Sequence, residues 1–355
     1  MVPFLKGSYS MSKWSVGVTT LILVLLGNFL FYKSVWAYTV LYQNGLFQLI
    51  RVIYDYTLGW LPFPSIYIIL PLFLWYFLFD RRHTLKSFAL AVLTALVWLI
   101  NLFYLLWGFN YAQPSPYQTM NLEKVAIDST YLSETFIAQT ALVSTMAKDT
   151  HAELPKTELE DIIRIRQEAL LRKWNISTTG RVRIRLLPAG ALLRLRTSGI
   201  YIPHAIEGHI DGGLYYKQHP FTLAHEMAHG YGFTDESVCN YIAYLSCYDS
   251  ENSLISYSAE LAYWRYLARA YRGYHRAEWA DTYNGLSNEL KSDLKAINDH
   301  VNRYKDLMPK SRDIIYDKYL KSHGVSAGIA SYDQIVDLIA AFRKGKVPRP
   351  SQDGF

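Results

Sequence analysis

Three stretches of the first 111 residues carry no charged side chain, and they constrain this chain more than any other feature. No Asp, Glu, Lys or Arg lies between Lys13 and Lys33, between Asp55 and Asp80, or from Ser87 past Tyr111. Their apolar parts, residues 15–32, 61–79 and 88–107, are each near the ~20 residues a helix needs to cross hydrocarbon. Pro62, Pro64 and Pro71 would break a soluble helix but are tolerated near or within a membrane span. Residues 1–111 are therefore expected to form a membrane domain of three transmembrane helices, with Trp60, Trp75, Trp98 and Trp107 as candidates for the interfacial aromatic belt.

Charge sets the orientation. The short connection 80–86 holds Arg81, Arg82 and Lys86, so the positive-inside rule puts it in the cytoplasm, and Lys6 and Lys13 put the N-terminus there too. Three crossings then place the remainder outside. The aromatic, sparsely charged section 34–59 also falls outside, along the interface. Val35-Trp36-Ala37 has the pattern of a signal-peptidase site, but the preceding apolar run is long for a signal and is read as an anchor. The net charge of +6 is scattered rather than gathered into a recognisable nucleic-acid module, so no nucleic-acid partner is expected. Cys239 and Cys247 make no disulfide framework and read as small buried apolar residues.

Residues 112–344 read as one extracytoplasmic domain, mainly α with a small sheet, and 345–355 as a flexible tail. Helices are expected over 122–150 and 156–174. The alternation in Arg181-Val182-Arg183-Ile184-Arg185-Leu186 predicts a strand, with shorter strands at 192–196 and 200–203 and a strand end or turn at 209–213. From Pro220 onward the pattern is helical.

The chemistry sits at His225-Glu226-Met227-Ala228-His229. Four residues apart on a helix, both imidazoles share one face and can bind one tetrahedral zinc ion. Glu226 then lies beside a metal-activated water and suits the role of general base. Pro220 fits the first turn, and Gly230 and Gly232 fit the end of this helix. A catalytic zinc needs a third protein ligand. Gly232 allows a sharp turn, Thr234 suits the cap of a second helix, and Glu236 falls in its first turn, which makes Glu236 the expected third ligand and Asp235 its competitor. Asn240, one turn on, is placed to hydrogen-bond a ligating histidine from behind. A peptide substrate is expected to pair with a strand edge near the metal, with His209, Asp211, Gly212 and Gly213 as candidates. Tyr257, Tyr263 and His275 are candidates for the group that stabilises the oxyanion.

These residues carry a resemblance. The chain resembles the DUF3810 family of bacterial membrane proteins from about Thr57 to about Arg343, through Leu106-Trp107-Gly108-Phe109-Asn110-Tyr111, Gly199-Ile200-Tyr201, the run 220–229, Gly232-Phe233, Glu236, the run 240–247, Ser331-Tyr332-Asp333 and Val336-Asp337-Leu338. The resemblance implies a zincin-like, gluzincin-like metallopeptidase domain in the bacterial cytoplasmic (inner) membrane. The family often carries a second acidic residue two positions after Glu236, and here that position is Val238. The expected function is hydrolysis of peptide or protein substrates on the extracytoplasmic side of the lipid bilayer, with one zinc ion per chain. A non-catalytic zinc-binding membrane sensor or scaffold and an intramembrane protease are the alternatives.

Overall fold

The computed structural model describes residues 8–78, 84–150, 153–309 and 334–346. Arg81, Arg82, His83, Ser331-Tyr332-Asp333 and most of the expected tail lie outside the described residues. The chain divides into two compact units. One comprises Met1–Gln113 with Thr179–Arg185 and Tyr201–Glu207, the other Pro114–Thr178, Leu186–Ile200 and Gly208–Phe355.

In the first unit, α1 (Ser8–Lys33) packs along α4 (Leu85–Leu106), α2 (Phe47–Tyr56) and α3 (Ile66–Leu78) are further α-helices, and a short helix at Val35–Ala37 and a π-helix at Tyr38–Leu46 lead into α2. The approach of α1 to α4 is close: a Cβ on Gly17 would meet the Trp98 indole nitrogen at 3.0 Å, and Asn101 Nδ2 donates to the Gly17 carbonyl at 2.9 Å. An amide in an apolar pair needs such a partner, because leaving it unpaired would cost the full desolvation penalty. Phe31, Tyr38, Tyr42, Phe47 and Phe109 form an aromatic core. Outside it, α1 shows a bare apolar face, with Leu23 63% and Phe29 64% exposed. By length and composition, α1 and α4 can each cross a membrane. The third apolar helix, α3, has 13 residues and interior Pro71. The 13 described residues account for about 20 Å of helix at 1.5 Å per residue, against a hydrocarbon core of about 30 Å. Trp107, a candidate for the interfacial belt, is instead buried against Tyr201. A polar knot also lies inside this unit: Glu207 accepts from Tyr54 Oη at 2.5 Å, the Ser65 amide at 2.9 Å and Arg185 Nε at 3.2 Å.

The second unit is built on helices α5 (Ser129–Met146), α6 (Lys156–Lys173), α7 (His219–Gly230), α8 (Glu236–Cys247), α9 (Ser253–Tyr274), α10 (Asn288–Asn302) and α11 (Ile335–Lys346). The strands β1 (Arg183–Leu187), β2 (Gly199–Ile202) and β3 (Glu207–Asp211) pair in the order β1-β3-β2. The helix α7 packs against α6, α8 and α9, and α8 also packs on α6, α9 and α11. Glu260 on α9 ties several of these helices together, accepting from Gln139 Nε2 at 2.5 Å and Tyr244 Oη at 3.1 Å, while Arg343 on α11 donates to the same Tyr244 hydroxyl at 3.1 Å.

Three expectations shift. The helix expected over 122–150 is confined to Ser129–Met146, because Asp128 caps it by accepting from the Tyr131 amide at 2.7 Å. The strand expected at 192–196 is a short 3-10 turn, Leu193–Leu195. The buried Asp211 carboxylate accepts from the amides of Gly190, Leu192 and Leu193 at 2.6–3.0 Å, which curls the segment and leaves Arg196 in the left-handed region at φ 56°. Gly345 and Lys346, expected in the tail, end α11, and the rest of the expected tail lies outside the described residues.

Candidate metal centre

The first turn of α7 is held by Pro220 near its start and by Ser258 Oγ, which accepts from the Phe221 amide at 3.1 Å. Leu223, Ala224, Met227 and Ala228 are fully buried, which fixes the roll of the helix about its axis. Its end is equally determined. Gly232, at φ +99°, turns the chain so that the amides of Gly232 and Phe233 donate back to the His229 and Ala228 carbonyls at 2.9 and 3.2 Å. The same turn aims the Phe233 carbonyl at His229 Nδ1, 2.8 Å away. The next helix is capped by Asp235, which accepts from the Val238 amide at 3.0 Å, one residue later than the expected Thr234. Asp235 is thereby committed to the cap, and Glu236 becomes the first residue of α8.

This places His225, His229 and Glu236 together, with one ligand atom from each within 4.8 Å of the others. The two Nε2 atoms are 3.1 Å apart, and Glu236 Oε2 lies 3.1 Å from that of His225 and 3.6 Å from that of His229. A tetrahedron with zinc–ligand bonds of about 2.0–2.1 Å has edges of about 3.3 Å. Both Nδ1 atoms face oxygen acceptors: Asn240 Oδ1 at 2.8 Å for His225 and the Phe233 carbonyl for His229. With the protons on Nδ1, two imidazole lone pairs and a carboxylate oxygen point at one another, an arrangement that calls for a cation. The donor set and spacing fit zinc.

Electrostatics follow the same geometry. Burial opposes the charge of Glu236, but His229 and His225 outweigh it and hold its carboxyl well below the usual range. Glu226 is buried, and burial raises its pKa against the opposing pull of His225 and His229. Its Oε2 has no hydrogen-bond partner among the described residues. On its other side Glu226 meets β2, where a Cβ on Gly199 would stand 2.5 Å from Oε1. Cys239 Sγ approaches His229 on the Nδ1 side, at 3.3 Å, away from the ligand atoms, and burial pushes its thiol up to about 12.

Residues 42–340 match the family described as "Protein of unknown function (DUF3810)". The chain belongs to the DUF3810 family. No curated protein and no solved structure matches it.

The other expected site residues of this DUF3810 chain sit on β3, in the turn after it, and on α9 and its end. His209, Asp211, Gly212 and Gly213 do not offer a free edge, because β3 is the central strand and the Gly212 amide is bonded to the Leu187 carbonyl at 3.0 Å. Asp211 is consumed as the anchor of the 190–193 turn, and the Gly213 carbonyl contacts His300 Nδ1 at 2.9 Å. His209 is buried near enough to Glu226 to act on its charge. The edge strand beside Glu226 is β2, through Gly199. Tyr257 donates to Asp293 at 2.5 Å, Tyr263 lies under the Arg343 guanidinium, and His275 contacts Ser133 Oγ at 3.0 Å. The tyrosine near the cluster is Tyr266, which interacts with the Asn240 side chain and feels the Glu236 charge. In a chain with 29 tyrosines, only the packing of α9 on α8 distinguishes it.

Proposed function

We propose that this chain is a membrane-anchored zinc metallopeptidase, with His225, His229 and Glu236 holding one zinc ion and Glu226 as general base. One observation carries the reading: two imidazoles, each fixed by its far nitrogen, and a carboxylate converge beside a buried glutamate with an unpartnered oxygen. When bound, zinc supplies Lewis acidity, which activates a water and polarises a peptide carbonyl. Glu226 takes the water's proton at Oε2 and passes it to the leaving amine nitrogen. Burial raises the proton affinity of this carboxylate, which favours its taking up a proton before passing it on. Asn240 and the Phe233 carbonyl keep the imidazoles in the ligating tautomer. Among the described residues three protein donors gather at the cluster, against the four usual in a structural site, which favours a hydrolase over a zinc-keeping sensor or scaffold.

The bare apolar faces of α1 and α4 support anchoring in a bilayer. In this reading α3 supplies a third crossing, the N-terminus is cytoplasmic, and residues 112–344 act outside the inner membrane. The 12 residues of α7 reach about 18 Å, too short to work as a membrane span, which favours an extracytoplasmic site over intramembrane cleavage. The test is Glu226→Gln in the full-length protein. Zinc content by elemental analysis should stay at one per chain while hydrolysis of a peptide library disappears. Retained hydrolysis, or a wild-type protein that takes up no zinc, would sink the reading.

A further inference from the structure

Three apolar helices of the first unit form a cleft with one charged end. It measures about 250 Å³ and is lined by Lys13 of α1, Phe73 and Tyr76 of α3, and Trp98 and Leu102 of α4. Two hydrogen bonds fix the register that builds it. Trp98 Nε1 donates to the Lys13 carbonyl at 3.4 Å, and Asn101 Nδ2 donates to the Gly17 carbonyl at 2.9 Å. The Lys13 ammonium lies 3.6 Å from the centroid of the Tyr76 ring, so Lys13, Tyr76 and Trp98 stand at one level. Phe73 is three residues from Tyr76 and Leu102 four from Trp98, which continues the wall by one helical turn of wholly apolar side chains. Among the described residues, no acidic side chain lines the cleft. An ammonium carries three N–H donors and can serve an anion as well as an aromatic face. Lys13 also opens the uncharged run that ends at Lys33, and a lysine at the end of such a run belongs at the level of the lipid headgroups. An apolar cavity of about 150 Å³ is enough to stay dry and take up benzene, so this cleft has room for a stretch of hydrocarbon.

We propose that the cleft between α1, α3 and α4 binds one anionic phospholipid, with the headgroup phosphate on Lys13 and an acyl chain along Phe73, Trp98 and Leu102. A cation at one end and bare hydrocarbon at the other match an amphiphile rather than a soluble anion. A lining with a lysine and no carboxylate selects a negative headgroup over a zwitterionic one. The proposal rests on the membrane-anchored reading and is independent of the metal centre.

Full-length protein in non-ionic detergent is titrated with palmitoyl-oleoyl phosphatidylglycerol, with the matching phosphatidylcholine and with inorganic phosphate, and native mass spectrometry counts the bound species. One phosphatidylglycerol should bind about fivefold more tightly than phosphatidylcholine. Lys13→Gln should erase that preference and Lys13→Arg should keep it. Leu102→Trp, which fills the apolar end, should weaken both lipids, with helical content by circular dichroism unchanged in all three variants. Equal affinity for the two lipids, a preference that survives Lys13→Gln, or displacement of the lipid by inorganic phosphate overturns the proposal. Washing membranes with alkaline carbonate tests the anchoring separately. A protein released by the wash removes the anchoring reading and this site with it, whereas a retained protein with no lipid preference removes the site alone.

Discussion

Gly199 faces Glu226 so closely that a methyl group on it would stand 2.5 Å from Oε1, 2.8 Å from Cγ and 2.9 Å from Cδ. All three near atoms belong to the proposed base, and none to a metal ligand. Gly199→Ala should therefore push the Glu226 carboxylate out of place while sparing His225, His229 and Glu236. A misplacement on the order of 1 Å at a reacting group costs about 100-fold in rate. The expected outcome is a loss of kcat of that size with one zinc per chain retained, measured by peptide hydrolysis and elemental analysis. Full activity in this variant would mean that Glu226 does not need its present position.

Asn240 acts through His225. Removing the acceptor at 2.8 Å frees the imidazole to change tautomer and to rotate. Asn240→Ala should weaken zinc binding by about 10–100-fold. Competition against a fluorescent chelator reads this directly, and unchanged affinity would show that the packing of α7 alone orients the ring.

The buried Glu226 carboxyl is a cost to the metal-free fold. Its folded pKa is raised by burial, so the folded state holds the proton more tightly than the unfolded state does. Its own contribution to stability in chelator should therefore fall as pH rises above the ordinary carboxylate range, and the fall ends at the raised folded value. Glu226→Gln lacks this titration. Its midpoint in chelator should match wild type near pH 4 and exceed it near pH 7, by about 1 kcal/mol or more. Thermal melts across that range check the sign, and a variant less stable at pH 7 than wild type would refute it.

Away from the metal centre, Lys217 and Asp293 form a buried pair at 2.9 Å, and Tyr215 and Tyr257 also donate to the same carboxylate. Asp293→Ala strands a buried ammonium and two hydroxyls and should destabilise the chain by about 3–5 kcal/mol. Adding Lys217→Met should recover a large part of the loss, because the unpaired charge goes with it. Denaturant titration of the two variants measures the difference.

Much of this was legible in the residues. The uncharged runs announced α1 and α4, because a helix that shields its own backbone is the economical answer to a long apolar stretch. The four-residue spacing of His225 and His229 requires only helical periodicity to bring both rings to one face, and Gly232 marked the turn that follows. The contacts of Asp211 were not legible, because a carboxylate that gathers the amides of a distant turn looks the same in one dimension as one that meets a ligand. The start of α3 was not legible for a different reason. Apolar composition does not reveal where the helix begins, and Pro62 and Pro64 lie in the non-helical lead before Ile66.

By itself, then, the order of residues determined the local terms: which segments are apolar enough to leave water, which helix carries both histidines, and where a carboxylate follows within one turn. Periodicity and spacing encode these without reference to the rest of the chain. Tertiary structure alone decided that Glu236 rather than Asp235 meets the histidines, that β3 lies at the centre of its sheet, and that Gly199 and Tyr266 flank the cluster. Those outcomes depend on helix ends, strand order and the rotation of packed helices, which are set by many weak contacts between residues far apart in sequence.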